Sequence, residues 1–105
     1  GEVPVIGDVI AKINVERGEE RYSRRIDLYL FYRATSKPVE DANVQLTGAM
    51  RFMDHGTIRS TPLPSDRGHH IFELGFDMPG EWEVELGISL AGKQTKIQLQ
   101  VDIFE

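Results

Sequence analysis

The stretch from His69 to Leu90, HHIFELGFDMPGEWEVEL followed by GISL, constrains the fold more than any other part of the chain. Every second residue is apolar: Phe72, Leu74, Phe76 and Met78, then Trp82, Val84, Leu86, Ile88 and Leu90. Glu73, Asp77, Glu81, Glu83, Glu85 and Ser89 fill the positions between them. A period of two sustained over this length describes half-buried β-strands, one face on a core and the other in water. A helix would instead spread these apolar side chains around its whole circumference.

The rest of the chain repeats the pattern in shorter pieces. Val9, Ala11, Ile13 and Val15 alternate with polar residues over about Asp8 to Glu16, and Gly18-Glu19-Glu20 closes the segment. In the second segment, about Arg24 to Arg33, Ile26, Leu28, Leu30 and Tyr32 stand against Asp27, Tyr29, Phe31 and Arg33. Both faces are bulky there, which predicts a central strand or one covered on its outer side. A third strand over about Ala42 to Met50 turns Val44 and Leu46 inward, and Arg51 to Ser60 reads as a short fourth. Thr61 to Gly68, with Pro62 and Pro64, reads as the longest loop, because proline cannot donate to a β-ladder. A last strand runs over about Thr95 to Phe104. About seven strands in a chain of 105 residues predict an all-β fold, an immunoglobulin-like Greek-key β-sandwich, as a single domain over residues 1–105.

Parity sharpens the C-terminal half. The apolar residues on both sides of Pro79-Gly80 are even-numbered, so direct pairing of the two strands would need an odd-length loop. A connection from Pro79 to Glu81, with Gly80 at positive φ and Met78 opposite Trp82, meets that condition. The last strand has odd inward residues, Ile97, Leu99, Val101 and Ile103, and needs an even loop. Ala91-Gly92 supplies one and pairs Leu86 with Ile97 and Trp82 with Val101. The expectation is a three-stranded meander.

Composition removes several functions. A net charge of −5 opposes nucleic-acid binding, which needs a basic face to neutralise phosphates. The absence of cysteine excludes disulfides, thiolate metal sites and cysteine nucleophiles. No Ser-His-Asp arrangement, P-loop or HExxH motif is present, and most carboxylates fall on outward strand positions, so the chain reads as non-enzymatic. A hydrolytic or sugar-processing enzyme would need a deep acidic cleft, for which two packed sheets of this size leave little room.

Two groups of residues suit binding. Met50, Met53 and His55, with His69, His70 and Met78 further on, offer thioethers and imidazoles without thiolates, a donor set suited to copper. Met53 and His55 have the weakest explanation as core residues, while Met50, Met78 and His70 have the inward parity of their strands. Tyr29 and Phe31 share the outward face of the second strand and form a partner-binding patch if nothing covers them.

The segment Gly68-His69-His70-Ile71-Phe72, continued by Phe76-Asp77-Met78-Pro79-Gly80-Glu81-Trp82-Glu83-Val84-Glu85-Leu86, resembles the FixH/YtkA-like family of small extracytoplasmic β-sandwich domains. Asn43 to Leu46 and Met50 to His55 resemble the strand and the Met/His-bearing segment that precede it there, so the resemblance covers roughly the last two-thirds of the chain. It implies a domain on the periplasmic or extracytoplasmic face of a membrane, often carried by an N-terminal membrane helix. The chain starts at Gly1 rather than Met, which leaves open upstream the signal peptide or anchor that the resemblance implies.

The FixH branch further implies an accessory role in a membrane-bound metal-handling or cytochrome-oxidase assembly system, in company with a copper-pumping ATPase. Weak copper binding would then fall to Met53 and His55, completed by Met50 or His70. The alternative is a metal-free protein–protein interaction module of a membrane complex, docking through Tyr29 and Phe31 or a free sheet edge.

Overall fold

A computed structural model describes residues 1–50 and 57–104, with backbone alone at 64 and 65. These residues form eight strands: β1 (Glu2–Pro4), β2 (Val9–Arg17), β3 (Ser23–Tyr32), β4 (Asn43–Met50), β5 (Ile58–Asp66), β6 (His69–Phe76), β7 (Gly80–Leu90) and β8 (Lys93–Ile103). Five make one antiparallel sheet in the order β1-β2-β3-β6-β5, and three make a second in the order β4-β7-β8. Without β1, this is the four-on-three arrangement of an immunoglobulin constant-type sandwich. The expected fold class therefore holds. The strand beyond the anticipated seven is β1, three residues long and paired with β2 from Glu2–Lys12 to Pro4–Ile10.

Alternation places the core between the sheets. Ile26, Leu28, Leu30, Phe72, Leu74 and Phe76 line one inner face, while Trp82, Val84, Leu86, Ile88, Val101 and Ile103 line the other. Each such side chain stabilises the fold by roughly 1.5–3 kcal/mol relative to exposure. Trp82, near the start of β7, has no exposed surface. Its ring meets Phe76 edge-on at 5.0 Å between centroids. In β2 the expectation fails at its end: Val15 is exposed, while Ile10, on the opposite parity, is buried.

The expected C-terminal meander is half right. β7 and β8 pair around Ala91-Gly92 in the anticipated register, with Leu86 opposite Ile97 and Trp82 opposite Val101. β6 and β7, however, are not neighbours. β6 pairs with β3 and β5, β7 with β4 and β8, and Asp77 to Pro79 carries the chain from one sheet to the other. Both strands turn their apolar sides to the same core from opposite sides, which satisfies parity without any pairing. Gly80 does have a positive φ, +152°, but it serves this crossover rather than a hairpin.

The segment read as a long loop is the second half of β5. Its prolines are tolerated because β5 is an edge strand and can leave its outer side unpaired. A register shift between Leu63 and Asp66 follows, and Arg67-Gly68, both at positive φ, turns the chain into β6.

Candidate functional site

Two places in the fold collect residues with chemistry to offer. The first is the end of the sandwich where the chain passes from β6 to β7. Met50, the last residue of β4, stands opposite Trp82. A Cβ on Gly80 would lie 2.6 Å from Met50 Cε, so the thioether lies directly against the Gly80 backbone. Met78 occupies the crossover itself, and its carbonyl accepts a 3.3 Å hydrogen bond from Trp82 Nε1. Both methionines are half-buried against the core. Asp77 secures the same end: its Oδ2 accepts 3.0 Å bonds from the Thr57 N–H and hydroxyl, and its own N–H donates to the Thr57 carbonyl.

Met53 and His55 lie outside the described residues; in sequence they follow Met50 by three and five positions. His70 is not at this end. It is the second residue of β6, opposite Leu28, and Phe76, which touches Trp82, comes six residues later, about 20 Å along an extended strand. Met50 and His70 therefore do not meet. Burial holds the His70 imidazole below its ordinary pKa, and the charge of neighbouring His69 acts in the same direction. The donors at the crossover end, two thioethers, suit a soft ion such as Cu(I). Among the described residues, no three His, Asp or Glu side chains converge as a metal-binding group.

The second place is the outer face of the five-stranded sheet. Arg25, Asp27, Tyr29 and Phe31 alternate along β3, and His69 of β6 stands opposite Tyr29. His69 stacks on the Tyr29 ring, 4.1 Å between centroids and 12° from parallel. Its Nε2 lies 2.7 Å from Asp27 Oδ1. Arg25 closes on the same carboxylate with two bonds, Nε to Oδ2 at 3.2 Å and Nη2 to Oδ1 at 3.1 Å. Asp27 is the buried charge of the sandwich among the described residues, 6% exposed. Burial pushes its carboxyl upward, but hydrogen bonds from Arg25 and His69, and their charges, outweigh that and hold it below its ordinary range. The same contact raises the Arg25 guanidinium.

Tyr29 is 37% exposed, as a binding patch requires. Phe31 is partly covered: it lies opposite buried Ile10 and bridges to Pro38. Sequence reasoning gave His69 and Asp27 no joint role, because only the β3–β6 pairing brings residues 42 positions apart together. The outward parity of both was the one available signal.

Beside this quartet, an open cleft of about 500 Å3 is bounded by the Gly18–Glu20 turn and by Arg24, Arg59, Glu16 and Glu73. Its charges are mixed, and the Arg59 guanidinium covers Gly75 at its floor.

The sequence profile of a family described as YtkA-like matches residues 8–87. No curated protein sequence matches the chain. Among solved structures, a DUF4426 family protein from Pseudomonas aeruginosa PAO1 is similar with a TM-score of 0.69 and 14% identity, over 97% of each chain. At that identity the likeness speaks for the fold alone. The GAE domain of GGA2p from Saccharomyces cerevisiae aligns over 100% of this chain and 96% of its own, with a TM-score of 0.49 and 10% identity.

Proposed function

The chain belongs to the YtkA-like family, and from that membership together with the thioethers at one end of its sandwich we propose a non-enzymatic accessory domain of a membrane-bound metal-handling or cytochrome-oxidase assembly system. It acts on the periplasmic or extracytoplasmic face and binds copper weakly. What supports the reading is the position of Met50 and Met78, both beside Trp82 where the chain changes sheets, with Met53 and His55 next in sequence. Thioethers favour Cu(I), and a half-buried setting keeps the soft donors out of water. Met53 and His55 complete the donor set, with Met50, while His70 is too distant along β6 to join it.

A Cu(I) titration against a chromogenic competitor under reducing conditions tests this on wild type and on Met53→Ala/His55→Ala. One equivalent bound by wild type and lost in the variant, with thermal stability retained, is the expected result. Unchanged affinity in the variant removes both residues from the site.

The second reading is a metal-free interaction module docking through Tyr29. It is favoured by the stacking of Tyr29 on His69, since a ring already held in place loses little freedom on binding. Phe31, partly covered, contributes less. Under this reading wild type ignores Cu(I), and Tyr29→Ser weakens recovery of membrane partners while the domain stays folded.

A further inference from the structure

An edge strand leaves a row of backbone N–H and C=O groups unpaired, and folded chains usually blunt such edges. Among the described residues, two of the four edges are blunted by proline, shortness or irregularity. β1 is three residues long and ends in Pro4. β5 carries Pro62, Pro64 and an irregular register. β4 is shorter, eight residues, and carries Gly48, over whose inner face the Ile58 side chain packs. β8 is blunted by its charges alone, Lys93, Lys96 and Asp102. Its eleven residues contain neither proline nor glycine, and they pair with β7 in unbroken register on one side only.

The hairpin decides which groups point outward. Ala91 and Gly92, at φ +51° and +78°, form a two-residue turn of the primed type. Leu90 and Lys93 at its ends exchange backbone hydrogen bonds, and so does every second pair after them. The odd-numbered residues of β8 are therefore committed to β7. Gln94, Lys96, Gln98, Gln100 and Asp102 turn their N–H and C=O groups to the open side. One end is partly occupied, because the Asp102 carbonyl accepts a long 3.5 Å bond from Arg24 and keeps its second lone pair.

We propose that this edge pairs antiparallel with the β8 edge of a second copy of the chain, about a two-fold axis at Leu99. That register sets Lys96 opposite the partner's Asp102, and Asp102 opposite the partner's Lys96. Gln98 meets the partner's Gln100, so no like charges are opposed. On the core side Ile97 faces the partner's Val101, and half-buried Leu99 faces its own copy. Moving the axis to position 98 sets Lys96 opposite Gln100 and Asp102 opposite Gln94, and moving it to position 100 sets Lys96 opposite Phe104 and Asp102 opposite Gln98, so the charges select one register. The outward groups then exchange about eight backbone hydrogen bonds. The two three-stranded sheets become one of six strands, closed by symmetry. In the isolated chain Lys96 pairs with Glu85 at 3.5 Å, and Gln100 donates to Asp102. These are solvent-exposed contacts whose exchange costs little.

Sedimentation equilibrium over rising protein concentration tests the pairing. The wild-type mass should climb from 11.9 kDa toward twice that value. Lys96→Asp and Asp102→Lys should each weaken the dimer about tenfold, and the double swap should restore it. Because the chain has no cysteine, Leu99→Cys gives a second readout. The two Leu99 positions form a non-hydrogen-bonded pair with Cα atoms about 4.5 Å apart, within reach of a disulfide. Oxidised glutathione should therefore link Leu99→Cys into a covalent dimer and leave Gln94→Cys unlinked. A wild-type mass that stays at the monomer value at every concentration overturns the proposal and leaves the edge to a strand of another protein. A dimer indifferent to the charge swap and unlinked at position 99 overturns it equally, since the copies would then meet elsewhere.

Discussion

His69 Nε2 lies 2.7 Å from Asp27 Oδ1, across the β3–β6 ladder on the face of the sheet turned away from the core. A carboxylate this buried would ordinarily favour its neutral form. Here three hydrogen bonds, two from Arg25 and one from His69, keep it charged. The pair ties the central strand β3 to β6 and holds the Tyr29 ring in its stack.

Asp27→Asn should test that role. The carboxyl is depressed below its ordinary 3.8 in the folded chain, so it contributes stability above that pH and loses it as the pH falls through the lower native value. The variant should be less stable than wild type by about 1–3 kcal/mol at neutral pH. Urea titrations at falling pH should show the two converge in strong acid, and a constant difference at all pH values would contradict the account.

His70 acts on a separate pH range. Its folded pKa lies below the ordinary 6.5 because burial disfavours the imidazolium. The unfolded chain therefore takes up the proton first. The stabilisation is complete above about pH 6.5 and declines as the pH falls through that value and then through the native one. The melting temperature of wild type should drop across this range, and His70→Gln should flatten the drop.

Trp82 is fully buried, packed edge-on against Phe76 and bonded through Nε1 to the Met78 carbonyl. Trp82→Ala should cost about 3–5 kcal/mol by leaving a cavity between the sheets. Trp82→Phe fills most of that volume and should cost less, a ranking that thermal or urea unfolding reads directly.

At Gly80 two penalties coincide. Its φ of +152° belongs to glycine almost alone, and a Cβ would stand 2.6 Å from Met50 Cε. Gly80→Ala should destabilise by about 1–3 kcal/mol. Adding Met50→Ala removes the collision but not the backbone strain, so a double-mutant cycle should show partial recovery.

Much of this was legible in the residues. The inward set from Phe72 to Ile88 and the Ala91-Gly92 turn with its register are local patterns, and a period of two reports them without reference to the rest of the chain. β5 was missed because Pro62 and Pro64 argue against a strand until it is known to lie at an edge. At the candidate sites, the outward parity of Tyr29 was readable, but its stack on His69 and the buried Asp27 were not. Met50 and His70 looked equally eligible as ligands, although about 20 Å of strand separates His70 from the Phe76–Trp82 contact beside Met50.

By itself, then, the sequence determined most of the side chains that face the core, β2 excepted at its ends, that the chain is all-β, and where its last hairpin turns. Only the tertiary structure decided which strands are neighbours. Alternation fixes the face a residue occupies, and that face is the same whether β6 and β7 pair within one sheet or oppose each other across the core. The choice rests on long-range pairing, β6 with β3 and β7 with β4, whose partners lie tens of residues away. That same pairing brings His69 to Asp27, stations Met50 and Met78 beside Trp82, and leaves β8 as the long open edge among the described residues.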